Sequence, residues 1–524
     1  MNEQKTKQRE KENIIDFIKK SRFSIIIIII VALFAFGQRI ISQGFSIDTE
    51  LYINDIGVVS RWDWWIALNR WGLVLLNKIF LMDSLPIFAC NFLTVTLMIV
   101  YSILFNYLFY TYIKDNYKET FLKYQFIFPI LFITNPIFAE QYNFILQNVG
   151  VAFTIALIPL ILLLIDKASI INTWWQKIIF YTLPICMLIL LFGVYQSVIL
   201  LYIATVVVCY LLKVLKEKDN SWKYLGKHIG IFLLAAIIYL TIGKILTMNN
   251  SNSGSSYLQS AWLKDTPSQC IMNIKSAIIP VLKCEGIFYN FGYILSIIAS
   301  LVFVFYLSIK KKLKIGVIIG MIGLLAAPFY IMIITGVDQL KRTQFNYSFV
   351  IGIVMMFAIV VLSKINKLKW LRNIGIAIIL ILTYIQCYTT SNLFNTVDVT
   401  YKNDEAFAHN VIQKIEEKDW YDNNKDYTLI FIGEHVSDLK NLYIKSEIIG
   451  RSFFEFDYQY IYGVSSRAVA FLNILGSDFN MPTKEEFENA KQYVEEKKMP
   501  IYPKEEAIQL IDNNKIIVRL SEEY

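Results

Sequence analysis

Long apolar runs are the feature that most constrains the fold of this chain. A helix that crosses the hydrocarbon core of a bilayer needs about 20 consecutive, mostly apolar residues. Eleven segments meet or approach this requirement: 24–42, 87–113, 125–140, 148–165, 178–194, 196–212, 229–247, 291–309, 315–335, 346–363 and 373–391. Only 18% of the 524 residues are charged, whereas soluble domains carry about a quarter. The sequence therefore predicts a polytopic α-helical membrane protein with about eleven transmembrane helices.

Two of these segments are unusual. The third and the fifth are short and contain Pro136 and Pro184. Proline removes a backbone donor and disrupts a helix interior. In a membrane it is tolerated where neighbouring helices or a cavity satisfy the freed backbone groups. We therefore expect both segments to be broken or tilted helices.

The basic residues indicate how the chain is oriented. With the N-terminus in the cytoplasm, the inward segments hold 25 Lys and Arg residues, and the longer outward loops 43–86, 248–290 and 336–345 hold 8. Cytoplasmic loops carry this excess of cations. We expect a bacterial inner or plasma membrane protein with a cytoplasmic N-terminus and an extracytoplasmic C-terminus. Because membrane topology explains the cations better than the net charge of +8 does, we expect no nucleic-acid partner.

This topology divides the chain into three parts. They are a cytoplasmic basic head at 1–23, a transmembrane body at 24–391 with the outer loop 43–86, and an extracytoplasmic domain at 392–524. In the last part charge becomes dense and long apolar runs stop. Thr428–Gly433 and Lys515–Leu520 resemble strands, and 404–418, 483–496 and 504–511 have helical spacing. The sequence therefore predicts a small C-terminal α/β domain.

The outer loop after the first span carries the densest set of carboxylates. Asp48, Glu50 and Asp55 lie within eight residues, just above the membrane surface. Catalytic groups concentrate on loops over a rigid scaffold. Asp48 or Glu50 would serve as a general base if it is ionised and within hydrogen-bond reach of an acceptor hydroxyl. A solvated acidic loop, or a helix N-cap at Asp48, explains the same pattern.

Aromatic and basic residues follow in the same loop. Trp65 belongs to a Trp-rich segment that is typical of an interfacial helix, and it is also a candidate for substrate contact. Arg70 and Lys78 are cations on the side of the membrane that the positive-inside bias depletes. Arg binds phosphate through two parallel hydrogen bonds, so a lipid phosphate is a suitable ligand. An ion pair of Arg70 with Asp63 or Asp55 is the competing interpretation.

Two further outward positions are candidates for substrate binding. Lys341 and Arg342 lie in the short loop 336–345 and would contact a phosphate or simply terminate a span. Glu140 lies within the segment 135–143, which is rich in amides and aromatics, at the outer end of the third span. That composition suits sugar binding and equally suits a polar turn between helices.

Several motifs are missing from the sequence. The three histidines are isolated, and no His/Cys cluster has metal-ligand spacing. We therefore expect no cofactor, and a divalent metal has no dedicated ligand cluster to support it. There is no Gly-rich phosphate loop and no soluble nucleotide-sugar domain on the predicted cytoplasmic side. A sugar donor would therefore arrive on a lipid and react at the outer surface.

The loop motifs resemble those of a known family. They are Asp48-Thr49-Glu50, then Trp65-Ile66-Ala67-Leu68-Asn69-Arg70-Trp71-Gly72-Leu73, then Asn77-Lys78-Ile79-Phe80. This arrangement resembles the bacterial GtrII-type glucosyltransferases, whose first outer loop carries a D-T-E-like motif, a W-I-x-x-G-R-x-G-like motif and a short basic-apolar segment. The family is similar to the wider GT-C superfamily of multi-span glycosyltransferases. Asn69 replaces the motif glycine, which leaves the backbone conformation there open.

The resemblance implies an inverting hexosyltransferase. It would move a sugar, glucose in that family, from a polyprenyl-phosphate carrier to a surface or cell-wall polysaccharide such as a teichoic acid or an O-antigen. Asp48 or Glu50 would be the base, and Arg70, Lys78 and Arg342 would hold the departing phosphate. The implied partners are the lipid-linked donor, the polysaccharide acceptor, membrane lipid, and an upstream lipid-sugar synthase and flippase. The alternatives are a polysaccharide polymerase or ligase, a lipid-linked-sugar flippase or transporter, and a membrane scaffold.

Overall fold

A computed structural model of the chain describes residues 13–54, 63–80, 84–217, 221–248, 261–441, 443–457, 459 and 461–522. The α-helices, in chain order, are α1 (Ile14–Lys20), α2 (Arg22–Ile41), α3 (Thr49–Asn54), α4 (Asp63–Ala67), α5 (Trp71–Ile79), α6 (Ile87–Tyr112), α7 (Asp115–Tyr124), α8 (Ile127–Ile133), α9 (Pro136–Tyr142), α10 (Ile145–Ala168), α11 (Trp174–Val194), α12 (Val198–Lys216), α13 (Trp222–Thr247), α14 (Pro267–Lys283), α15 (Gly292–Ile309), α16 (Ile315–Ala326), α17 (Tyr330–Thr335), α18 (Phe345–Leu362), α19 (Lys369–Glu416), α20 (Ser465–Ile474) and α21 (Lys484–Glu496). Short 3-10 turns lie at Ala261–Leu263, Ala327–Phe329, Lys341–Thr343, Asn366–Leu368 and Glu505–Ala507.

The membrane-spanning character of the chain is confirmed. Within the described ranges, ten helical segments are long and apolar enough to cross a bilayer. They are α2, α6, α10, α11, α12, α13, α15, α18, the segment Ile315–Thr335 that contains α16 and α17, and the segment Asn366–Glu416 that contains α19. The fifth predicted span is the unbroken helix α11, with Pro184 in its interior.

The third predicted span is broken, as its proline suggested. It consists of α8 and α9, separated at Thr134 and Asn135. The Asn135 side chain accepts a hydrogen bond from the Ile137 backbone N–H at 3.0 Å, and Pro136 occupies the first helical position. Thr390 of α19 donates to the Thr134 carbonyl at 2.8 Å. Neighbouring groups thus satisfy backbone atoms that the break frees.

The broken pair α8 and α9 runs along the whole first span. Gln125, just before α8, donates to the Ser21 hydroxyl at the start of α2 (2.8 Å). At the other end, the Asn143 carbonyl accepts from Arg39, in the last turn of α2, at 2.9 Å. The pair therefore crosses the same thickness as α2, although neither half is long enough to do so alone.

A small sheet follows the last long helix, and the predicted strands are confirmed. The strands are β1 (Tyr427–Ile432), β2 (Phe479–Asn480), β3 (Ile508–Ile511) and β4 (Lys515–Arg519), in the order β2-β1-β4-β3. β1 is parallel to β2 and β4, and β3 is antiparallel to β4. Alternate β1 side chains pack on opposite faces, Leu429 and Phe431 with α20 and Ile430 and Ile432 with α21. The helical spacing at 504–511 was misleading, because Ile508–Ile511 pairs with β4 as a strand.

The long helix α19 joins the sheet region to the membrane body. It has 48 residues, which corresponds to about 72 Å at 1.5 Å per residue. It continues without a break through 391–392, the predicted boundary between body and domain. Its middle packs on α2, where Gln38 donates to Asp398 at 2.5 Å and the Phe36 and Phe394 rings lie 5.5 Å apart.

Candidate active site

Residues from several parts of the chain contact the start of α10. The segment 143–147 links α9 to α10, and its residues are all buried. Three parts of the chain reach it: the loop after α2, the residue before α5, and the loop before α18. Each of these parts carries at least one of the residues that the sequence singled out.

A buried arginine ties the loop after the first span to this segment. Arg39 is 2% exposed. Its guanidinium donates to the Gly44 carbonyl and to the Asn143 carbonyl, each at 2.9 Å. Ser46 donates to the same Asn143 carbonyl at 3.0 Å. The backbone leading to Asp48 is therefore fixed against the start of α10.

Asp48 and Glu50 converge on an arginine of the sheet region. Arg467, in the first turn of α20, donates from Nη2 to Asp48 Oδ1 at 3.0 Å and from Nη1 to Glu50 Oε1 at 2.7 Å. Its Nε donates to Asp457 Oδ2 at 2.5 Å. The guanidinium also lies over the Phe456 ring, with its carbon 5.0 Å from the ring centre. One cation thus serves three carboxylates.

The two candidate bases have different surroundings. The Asp48 side chain is 43% exposed, whereas that of Glu50 is 0% exposed. Burial raises the pKa of Glu50 from 4.5 to about 7, and Arg467 beside it offsets only part of that effect. No described residue donates a hydrogen bond to Asp48 Oδ2, whose partner oxygen is held by Arg467. Asp48 is therefore the more accessible of the two carboxylates.

Arg70 contacts the first turn of α10. Its Nη1 donates to Gln147 Oε1 at 3.3 Å. Its guanidinium carbon lies 5.5 Å from the Trp65 ring centre and 4.8 Å from that of Tyr195. Asn69, where the family motif has glycine, has φ +61°. That is the left-handed conformation that glycine adopts most readily and asparagine tolerates better than most other residues.

The loop before α18 brings a second pair of cations. The Arg342 guanidinium carbon lies 4.6 Å from the Phe144 ring centre, and its Nη1 is buried without a hydrogen-bond partner among the described residues. The Lys341 ammonium pairs with Asp338 at 3.0 Å. Glu140 is fully buried and accepts a hydrogen bond from the Ser446 hydroxyl.

The structure therefore brings together most of the residues that the sequence suggested. Lys78 follows Asn77, which donates to the Leu146 carbonyl at 3.1 Å, and its own side chain is exposed in the last turn of α5. Asp55, one possible partner of Arg70, lies outside the described residues. No group of three or more His, Cys, Asp or Glu among the described residues is arranged to hold a metal ion.

Sequence reasoning missed four participants: Arg39, Gln147, Asp457 and Arg467. Arg39 carried a weak signal, because it is a cation in the last turn of an apolar span. Arg467 carried none, because it lies 417 residues from Glu50 in the sequence.

Comparison with known proteins identifies one matching family. The family model described as Glucosyl transferase GtrII matches residues 39–363, more than half of the chain. The match begins at Arg39 and includes the outer-loop motifs, the α10 start and Arg342. No curated protein and no solved structure matched the chain. The resemblance of the loop motifs is confirmed, and the chain belongs to the GtrII glucosyl transferase family of membrane proteins.

Proposed function

We propose that the chain transfers glucose from a polyprenyl-phosphate carrier to a surface or cell-wall polysaccharide, with inversion, at the outer face of the bacterial cell membrane. Membership of the GtrII family supports glucose as the sugar and glycosyl transfer as the reaction. The excess of Lys and Arg on the other side of the spans supports the outer face. The donor would be made by a lipid-sugar synthase and carried across the membrane by a flippase.

The observation that carries the proposal is the convergence at the α10 start. Two guanidinium groups, Arg70 and Arg342, contact this five-residue segment directly. The half-exposed carboxylate of Asp48 follows two residues after Ser46, which donates to the same segment. A base and phosphate-binding cations are the groups that sugar transfer from a lipid phosphate needs.

Asp48 acts as the base in this proposal. Its Oδ2 accepts the proton of an acceptor hydroxyl while the hydroxyl oxygen attacks the anomeric carbon. The bond from that carbon to the phosphate oxygen breaks, and polyprenyl phosphate leaves with the electron pair. Glu50 is enclosed and paired with Arg467, so it supports Asp48 rather than meeting the acceptor.

Arg70 and Arg342 stabilise the leaving group. The phosphate gains negative charge as the sugar departs, and preorganised cations lower the barrier when they face such developing charge. Arg342 Nη1, which has no hydrogen-bond partner among the described residues, is one donor for that phosphate. Lys341 and Lys78 add positive charge nearby, and the Trp65 ring supports the Arg70 guanidinium.

The test is the separate replacement of the two carboxylates. Asp48→Asn should lower transfer of radiolabelled glucose from polyprenyl-phosphate-glucose in nanodiscs by about 100-fold or more. The acceptor is surface polysaccharide from a strain that lacks the chain. Glu50→Gln should retain more activity than Asp48→Asn. Glu285→Gln is the control, because Glu285 is an exposed carboxylate whose only described partner is Lys283.

Two results would contradict the proposal. Full activity of the Asp48→Asn protein would show that Asp48 is not the base. Movement of the labelled lipid across the bilayer without formation of a glycosidic bond would indicate a flippase instead.

A further inference from the structure

The residue that holds the candidate base comes from the sheet region. Arg467 lies in α20, beyond residue 363, where the family match ends. Its side chain is 8% exposed, and all three of its guanidinium nitrogens donate to carboxylates. A cation in the first turn of a helix is disfavoured by the helix dipole. The requirements of α20 itself therefore do not explain why an arginine is found there.

We propose that Arg467 is a positioning residue for the transfer reaction, and that the C-terminal sheet region thereby completes the active site. The inference rests on the proposed function, because it assigns Arg467 a role through Asp48. In this arrangement the sheet region is a working part of the enzyme.

The backbone at Asp48 requires an external anchor. Asp48 has φ +76°, a left-handed conformation that costs a residue with a side chain roughly 1–2 kcal/mol. Such conformations persist where surrounding contacts over-determine them. Arg467 supplies one such contact to the Asp48 side chain, and Asn54 supplies another by donating to the Ala470 carbonyl of α20 at 2.7 Å. The short helix α3 is thus clamped to α20.

The contact also orients the reacting oxygen. Because Nη2 binds Oδ1, rotation of the Asp48 carboxylate is restricted, and Oδ2 is left for the acceptor. Arg is charged at every working pH and presents its donors in a planar fork. A lysine at the same place has a single nitrogen, which cannot reproduce donors spread across three carboxylates.

The charge of Arg467 is also needed to hold three carboxylates close together. Asp48, Glu50 and Asp457 would repel one another without the cation between them. Loss of Arg467 would let the exposed member, Asp48, turn toward solvent. Misplacement of a reacting group by about 1 Å costs on the order of 100-fold in rate.

The experiment uses the full-length protein in nanodiscs, with polyprenyl-phosphate-glucose and the polysaccharide acceptor described above. Arg467→Met should lower kcat by about 100-fold while the KM for the donor stays within about twofold. Arg467→Lys should fall between Met and the wild type. Arg451→Met is the matched control, because Arg451 is a half-exposed arginine that pairs with one carboxylate, Glu455, in the same region. It should retain wild-type kcat.

A chemical rescue separates positioning from a purely structural role. Arg467→Ala leaves a space that guanidinium or ethylguanidinium fills at millimolar concentration. These cations should restore at least a tenth of the wild-type kcat, and urea, which is similar in shape but uncharged, should not.

The failures are distinguishable. Wild-type kcat in Arg467→Met, together with an inactive Asp48→Asn protein, would overturn the role of Arg467 and leave the proposed function standing. A loss that guanidinium does not relieve, and that Arg467→Lys shares in full with a lowered melting temperature, would make Arg467 structural only. Full activity of Asp48→Asn would overturn both proposals.

Discussion

Replacing Glu50 with glutamine should change how the stability of the protein depends on pH. Glutamine keeps the size of the side chain and an oxygen that accepts from Arg467, but it cannot ionise. Glu50 is fully buried, and its folded-state pKa is raised from 4.5 to about 7. The folded state therefore holds a proton between these two values that the unfolded state has lost.

The magnitude follows from that difference. One pKa unit corresponds to about 1.4 kcal/mol, so Glu50 contributes about 3 kcal/mol of pH-dependent stability. Because its folded-state pKa is raised, this contribution is fully present below pH 4.5 and is lost as the pH rises to about 7. The wild-type protein should thus lose stability relative to Glu50→Gln as the pH rises, and the difference should level off above pH 7.

The assay is thermal unfolding in detergent, followed by intrinsic tryptophan fluorescence from pH 5 to pH 8. The difference in melting temperature between wild type and Glu50→Gln should move by several degrees across this range, in favour of the variant at the upper end. Other buried acids titrate in both proteins and cancel in the difference. Glu285→Gln should follow the wild type. Parallel curves for wild type and Glu50→Gln would refute the assignment of a raised pKa to Glu50.

Two further predictions concern the α4–α5 turn and α5. Asn69→Gly should raise the free energy of unfolding by about 1 kcal/mol and leave activity unchanged. The change places glycine at a positive φ and removes a buried side-chain oxygen that has no described partner. A lower melting temperature would contradict this. Gly72→Ala should destabilise by about 1–3 kcal/mol, because its Cβ would lie 2.8 Å from the Gly193 backbone of α11. The melting temperature and the transfer rate report this destabilisation. If neither changes, the close approach of Gly72 to the Gly193 backbone is contradicted.

The fold was largely predictable because its main signals are local. Uninterrupted apolar runs give the spans. The continuous burial of β1 residues such as Leu429 and Ile430 follows from a strand covered on both faces. The segment 504–511 misled the prediction because helical spacing over a few residues is weak. Its pairing with β4, which sequence spacing does not show, decided the structure.

The site was predictable only in part. Asp48, Glu50, Arg70 and Arg342 attracted attention as charges at a predicted membrane surface. Asp48 and Glu50 differ in burial, and this difference depends on α20. It could not be predicted from the sequence, because the two positions are so close in the chain. Arg467 becomes visible only when the chain is folded.

The unbroken helix α19 affects how Asp48 and Arg467 are positioned relative to each other. Asp48 lies in the loop that follows the first membrane helix, α2, and Arg467 lies in the sheet region that follows the last one, α19. Since α2 and α19 lie against each other through Gln38 and Asp398, the distance between base and anchor depends on the packing of these two helices. The contact between the first and the last membrane helix thus helps to set the relative position of the two residues that the proposed reaction requires.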